Sequence, residues 1–205
     1  MFSSTISKYD FYEYEFSVSE GFGFTALGRL PDANSDLVVL IPGLAEDVEY
    51  FLPLISGTIS QRYTPLIINA LIAQDSRPPE SVLGERVHDL DNLGTYLSNA
   101  LDLLPCRSLS IISHSLSEAV VLSALGKKER SLNRYISLAG GITGGNLENS
   151  EHFLTAEFAD IILPGLVECG FFQDEIPKYI EECIGSFIMN RDGYEKILNS
   201  LECPK

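Results

Sequence analysis

Residues 108–125 constrain the fold of this chain more than any other stretch. The first half, Ser108-Leu109-Ser110-Ile111-Ile112-Ser113, alternates and is rich in branched apolar residues, the pattern of a short buried strand. The second half carries Leu116, Ala119, Val120 and then Leu122 to Leu125, the pattern of an apolar helix. Between the two lies a run of small residues centred on Ser115. The chain must therefore pass from strand to helix through an abrupt turn with a serine at its apex.

Such a turn has a chemical use. The apex serine sits on strained backbone, so its hydroxyl projects from the sheet edge as a nucleophile would need. Residues two before and two after it must be small, because strand and helix pass close together. The usual solution is Gly-x-Ser-x-Gly; here Ser113 and Ser117 replace both glycines. Serine keeps a Cβ and is expected to strain the turn more than glycine does. A structural reading competes: Ser115-Leu116-Ser117-Glu118 has the spacing of a capping box, with Ser115 as N-cap and Glu118 three residues on. On these residues alone both readings are open.

Composition narrows the classes. A chain of 205 residues suits one domain with a sizeable core and room for an inserted subdomain. Its formal net charge of −15 disfavours nucleic acid, anionic membrane surfaces and polyanionic substrates. The acidic residues are spread along the chain and read as solvated surface. The four cysteines (Cys106, Cys169, Cys183, Cys203) form no CxxC pair, and none of the three histidines (His88, His114, His152) has metal-ligand spacing to them. No zinc site, metal or cofactor is expected. No signal-peptide pattern opens the chain and no apolar run reaches transmembrane length, so a cytoplasmic protein with reduced thiols and no membrane partner is expected.

Taken in order, residues 9–30 alternate aromatic and polar about a turn at 19–23, which predicts an N-terminal hairpin. Leu37-Val38-Val39-Leu40-Ile41 is a continuous apolar run, as expected of a strand covered on both faces. It ends at Pro42-Gly43-Leu44-Ala45, and the acidic residues from Glu46 sit where a helix would begin. A strand over 64–71 follows, with Pro65 tolerable only at its start. Val87, Leu90, Leu93, Leu97, Leu101 and Leu104 recur at spacings of three and four and predict an amphipathic helix over 82–104. A short strand over 135–139 ends in Gly140-Gly141. Strands alternating with helices predict an α/β fold with a mostly parallel sheet and flanking helices. After Gly144-Gly145 the pattern changes to short helices over 155–166, 176–187 and 194–201. The expected division is a core over 1–141 and a helical cap segment over 142–205.

In this order the elements resemble the α/β-hydrolase superfamily. Residues 37–44 are similar to the strand leading into the family's His-Gly oxyanion loop, with Pro42 where histidine is common. Asp75-Ser76-Arg77-Pro78-Pro79 sits where the family has a Gly-x-Ser-x-x-Pro loop, and His88-Asp89-Leu90-Asp91 resembles its helix before the turn. Ser113-His114-Ser115-Leu116-Ser117 is similar to Gly-His-Ser-Leu-Gly.

The resemblance implies roles. Ser115 would be the nucleophile, and the backbone N–H groups of Leu44 and Leu116 would form the oxyanion hole. His114 would point away from Ser115 and serve in packing. The family's acid and histidine follow the cap; Cys203-Pro204 resembles the lead-in to the next strand, so both are expected to lie outside residues 1–205 and the fold to be C-terminally incomplete. His152, beside Glu148 and Glu151, is the sole histidine after Ser115 and the one base candidate within the chain. Three readings follow: a serine hydrolase acting on a small-molecule acyl ester or thioester once its triad is completed, a degenerate non-catalytic binding protein, and an acyltransferase with a dyad through His152. An open sheet edge would call for a homodimer or a complementing partner.

Overall fold

The computed structural model describes residues 3–6, 10–19, 22–44, 46, 48–70, 90–128, 131–140 and 190–201. Among them, seven strands form one sheet: β1 (Ser3–Ile6), β2 (Phe11–Ser19), β3 (Phe22–Gly28), β4 (Asp36–Ile41), β5 (Thr64–Ile68), β6 (Ser108–His114) and β7 (Arg134–Leu138). Their spatial order is β1-β2-β3-β5-β4-β6-β7. The expected N-terminal hairpin is present as β2 and β3, which pair antiparallel, as do β1 with β2 and β3 with β5. From β5 onward every pairing is parallel: β5 with β4, β4 with β6, and β6 with β7. The sheet is thus mixed, with a parallel half that carries the strand-to-helix turn.

The continuous apolar run of β4 is explained by cover on both faces. Leu37, Val39 and Ile41 join the larger core with Leu66, Ile68, Leu109 and Ile111. Val38 and Leu40 face the other way, into a smaller cluster with Phe11, Leu27, Ile67 and Ile112. Alternation along a strand places successive side chains on opposite faces, so both sets must be apolar when both faces are buried.

The larger core is closed by two helices. The helix α3 (Leu90–Asp102) buries Leu90, Leu93, Leu97 and Leu101, the residues whose spacing predicted it. The helix α4 (Ser117–Lys127) is buried from Ser117 to Leu125, as its apolar sequence implies. Residues 82–89 of the predicted helix lie outside the described residues. A last helix over 190–200 sends Tyr194 into the same core. The other expected cap helices, 155–166 and 176–187, also lie outside the described residues.

The smaller cluster is closed by the segment after β4, and here the expectation of a helix starting at Glu46 is corrected. The chain instead makes a 3-10 turn (Val48–Phe51), the short α1 (Leu52–Leu54), a wide turn (Ile55–Ile59) and α2 (Ser60–Arg62). Gly57, with φ −100° and ψ −127°, breaks the helix, and Phe51 and Ile55 supply its buried contacts. Glu46 lies before these turns and outside any helix.

Candidate active site

β6 runs at the centre of the parallel half and delivers the chain to the turn. Ser115 follows it with φ 54°, in the left-handed region that residues with a Cβ seldom occupy. Holding such a residue there costs on the order of 1–2 kcal/mol, so the surroundings must impose it. They do so from both sides. The Ser115 N–H donates to the carbonyl of Leu138, the last residue of β7 (2.9 Å), and the Ser115 carbonyl accepts from the Glu118 N–H (3.2 Å).

The two serines in place of glycines are both fully buried, and their hydroxyls are used. The Ser117 Oγ accepts the His114 N–H (3.0 Å) and lies within donating distance of two carbonyls, Ile41 (2.9 Å) and His114 (2.8 Å). It therefore ties the start of α4 to the ends of both β6 and β4. The Ser113 Oγ lies 2.8 Å from the Tyr135 hydroxyl. The Tyr135 phenol is held well above its usual range, first by burial, while the bond from Ser113 works against the shift and the charge of Glu118 adds to it.

The capping reading of the same residues is corrected. The N-cap of α4 is Leu116, with no side-chain cap bond, so Ser115 does not cap the helix. Glu118 is fully buried rather than reaching back to the cap: one carboxylate oxygen lies 2.3 Å from where a Cβ on Gly140 would stand. Only the absence of a side chain at Gly140 leaves room for it. Ala139, next to it, is another non-glycine residue at positive φ (51°). The strained positions Ser115 and Ala139 thus flank the single hydrogen bond from Ser115 to Leu138.

Opposite Ser115 stands the loop after β4. The position a Cβ on Gly43 would take lies 3.1 Å from the Ser115 Cβ, 3.1 Å from the His114 Nδ1 and 3.0 Å from a Glu46 carboxylate oxygen. A Cβ here would be tight and would push its neighbours by a few tenths of an ångström, so glycine suits this close approach to the serine. Leu44 and Leu116 are part-buried against the main core. Among the described residues, no hydrogen bond engages the N–H of either. Leu116 follows Ser115 directly, and Leu44 follows Gly43 on the facing loop.

His114 does more than pack. Its Nδ1 lies 2.8 Å from the Glu46 carboxylate, and its ring stacks on Tyr50 at 5.2 Å between centroids and 20° between planes. Glu46 also accepts the Gly43 N–H at 2.5 Å. The Tyr50 phenol is pushed up, first by desolvation and then by the nearby Glu46 charge and its hydrogen bond to that carboxylate. Sequence reasoning missed Glu46, Tyr50 and Tyr135 as neighbours of the turn. For Glu46 and Tyr50 the local signal was the acidic, aromatic composition of 46–51, which fits a helix start equally well; Tyr135, on β7, had none. His152, the base candidate, lies outside the described residues. Among the described residues, no group of histidine, cysteine and carboxylate side chains could hold a metal, and no helix is long and apolar enough to cross a membrane.

The sequence matches no family profile and no curated protein. Solved structures do resemble this one. A 2-hydroxy-6-oxo-6-phenylhexa-2,4-dienoate hydrolase from a Rhodococcus strain aligns with a TM-score of 0.63 at 13% identity, over 94% of this chain and 78% of its own. An E-2-(acetamidomethylene)succinate hydrolase aligns with a TM-score of 0.61 at 11% identity, over 95% of this chain and 78% of its own. A thioesterase domain from the curacin biosynthetic pathway aligns with a TM-score of 0.58 at 12% identity, over 94% of this chain and 80% of its own. With the strand order, the parallel half and the turn at Ser115, these likenesses show that the chain has the α/β-hydrolase fold.

Proposed function

We propose that this chain is a serine hydrolase for acyl esters or thioesters, with Ser115 as nucleophile. The observation that carries this reading is Ser115 held at φ 54° between a parallel strand and a buried helix, facing Gly43 at close range. Strained backbone of this kind clusters at functional sites, and of the three non-glycine residues at positive φ among the described residues, Asp10, Ser115 and Ala139, Ser115 alone carries a hydroxyl. The Ser115 Oγ would attack the acyl carbon while its proton passes to a base. The carbonyl π electrons would move onto oxygen, and the N–H groups of Leu44 and Leu116 would stabilise that oxyanion. Collapse would expel the alcohol or thiol, which takes up the proton, and leave an acyl-serine ester. Water would then cleave the ester and restore the hydroxyl. The residues over 142–205 would act as a cap that sets which acyl group enters.

One observation favours a second reading, a binding protein of the same fold. Among the described residues the histidine adjoining Ser115 is His114, and its Nδ1 is taken by Glu46. A serine without a base is a weak nucleophile. A fluorophosphonate probe separates the two readings. The hydrolase reading expects covalent labelling of the folded wild type and none of Ser115→Ala. No labelling of folded wild type, or equal labelling of Ser115→Ala, favours the binding protein. His152→Ala completes the set: if His152 is the base, labelling falls by about 100-fold or more, and if not it is unchanged.

A further inference from the structure

We propose that Glu46 is a positioning residue of this site, a carboxylate clasp that fixes the loop bearing Gly43 and Leu44 against the turn bearing Ser115. The inference rests on the reading of Ser115 as nucleophile and of Leu44 as an oxyanion donor.

The need for a clasp follows from the sheet. The β4–β6 ladder ends with Ile41 opposite Ser113. Pro42, Gly43 and Leu44 lie beyond it, as do the ring of His114 and Ser115, so the ladder does not set the distance between loop and serine. Glu46 spans this gap. Its carboxylate accepts the Gly43 N–H on its own loop and meets the His114 Nδ1 across the gap, at 2.5 and 2.8 Å. The Asn69 side chain donates to the Glu46 carbonyl at 3.5 Å, and Asn69 is itself buried at the end of β5. Tyr50 closes the far side by stacking on His114, and the Glu46 charge beside it helps to push its phenol up, after desolvation. The Glu46 and His114 side chains are only 18% and 21% exposed, which shields the contact from water and salt.

The geometry matters because oxyanion donors act only when aimed at the developing charge within a few tenths of an ångström. Gly43 precedes Leu44, so the bond on the Gly43 N–H orients the peptide chain from which the Leu44 N–H projects. The arrangement also disposes of the carboxylate's own charge. A bare carboxylate beside an oxyanion site would oppose the reaction; this one is engaged by the Gly43 N–H and the His114 ring. Among the described residues, the groups gathered about it are the Gly43 N–H, the His114 ring, the Tyr50 phenol and the Asn69 amide.

The test compares wild type with Glu46→Ala and Glu46→Gln, each checked for cooperative melting. Three readouts are taken: the rate of fluorophosphonate labelling, kcat and KM for p-nitrophenyl acetate, and the Gly43 amide proton resonance. Glu46→Ala should slow labelling by about 10- to 100-fold and lower kcat to match, with KM within about twofold. Its Gly43 amide resonance should move upfield as the bond to the carboxylate is lost. Glu46→Gln keeps an acceptor oxygen and should recover most of the rate. Labelling of Glu46→Ala at the wild-type rate, an unmoved Gly43 resonance, or a rise in KM with kcat intact overturns the proposal. Should Glu46→Ala fail to fold, Glu46→Asp carries the same test, because the shorter side chain cannot reach Gly43 and His114 together. A folded wild type that takes no label while Glu46→Ala still shifts the Gly43 resonance overturns the nucleophile reading and the catalytic purpose of the clasp, but leaves the clasp itself demonstrated.

Discussion

At position 117 a single hydroxyl does what glycine cannot. The Ser117 Oγ accepts the His114 N–H and lies within donating distance of the Ile41 carbonyl, contacts that a glycine has no side chain to make. Ser117→Ala would remove this hydroxyl from between a buried N–H and a buried carbonyl, leaving them only their ladder bond. The expected loss is about 0.5–1.5 kcal/mol, read from the urea midpoint at unchanged slope. A midpoint equal to wild type would mean that water or a neighbour replaces the hydroxyl. Tyr14 carries a second prediction at this scale. Its phenol is buried, donates to the Gly28 carbonyl at 3.1 Å, and is pushed up to about 12, chiefly by desolvation, from an ordinary value of 10.0. The raised value means that the fold prefers the neutral phenol. That contribution is fully present below pH 10 and is lost as pH rises toward 12. Urea midpoints measured across that interval should fall less in Tyr14→Phe than in wild type.

Between elements, the contact of α3 with α4 is the one most sensitive to volume. A Cβ on Gly94 would stand 2.4 Å from both the Cβ and the Oγ of Ser123 and 3.0 Å from the Ala124 backbone nitrogen. On helix propensity alone Gly94→Ala should stabilise by roughly 1 kcal/mol. Here the two helices would have to separate, so a net loss of about 1–3 kcal/mol is expected, measured by thermal or urea unfolding. The same contact has a polar fastening. Asp91 accepts from Lys127 and from Ser123, both at 2.6 Å, and these two, Lys127 first, hold its carboxyl below the ordinary 3.8. A depressed carboxyl contributes stability above its unfolded-state value and loses it as pH falls through the folded one. Asp91→Asn should therefore be less stable than wild type at neutral pH and converge with it under acid. Curves that stay parallel to low pH would assign the loss to shape rather than charge.

Over the whole molecule, a net charge of −15 sets a background of self-repulsion that no single pair removes. Added salt screens that repulsion over about 10 Å at 0.1 M. The melting temperature should accordingly rise as sodium chloride is raised from low ionic strength. A fall would mean that the favourable pairs, such as Arg107 with Asp36 and Lys128 with Asp102, outweigh the repulsion. The sheet has a gradient of its own. Its antiparallel end, β1 to β3, is assembled from neighbours in sequence, whereas β5, β4, β6 and β7 are joined only through crossovers. The candidate site sits wholly in the second half, where the ends of β4, β6 and β7 meet.

What the amino-acid sequence determined by itself was whatever depends on a residue and its near neighbours. The run 37–41 had to be a doubly covered strand, the leucines from 90 to 101 had to line a helix, and the stretch around Ser115 had to turn sharply from strand to helix. Each is a matter of period and side-chain size within one element. Tertiary structure alone decided between capping and a strained apex at Ser115, because the bond that holds its φ comes from Leu138, on another strand. It also decided the partners of Glu46. Read locally, a glutamate in an acidic stretch after Pro-Gly belongs at a helix start. Its carboxylate instead meets His114, 68 positions away, because two parallel strands end side by side and bring their following loops into one place.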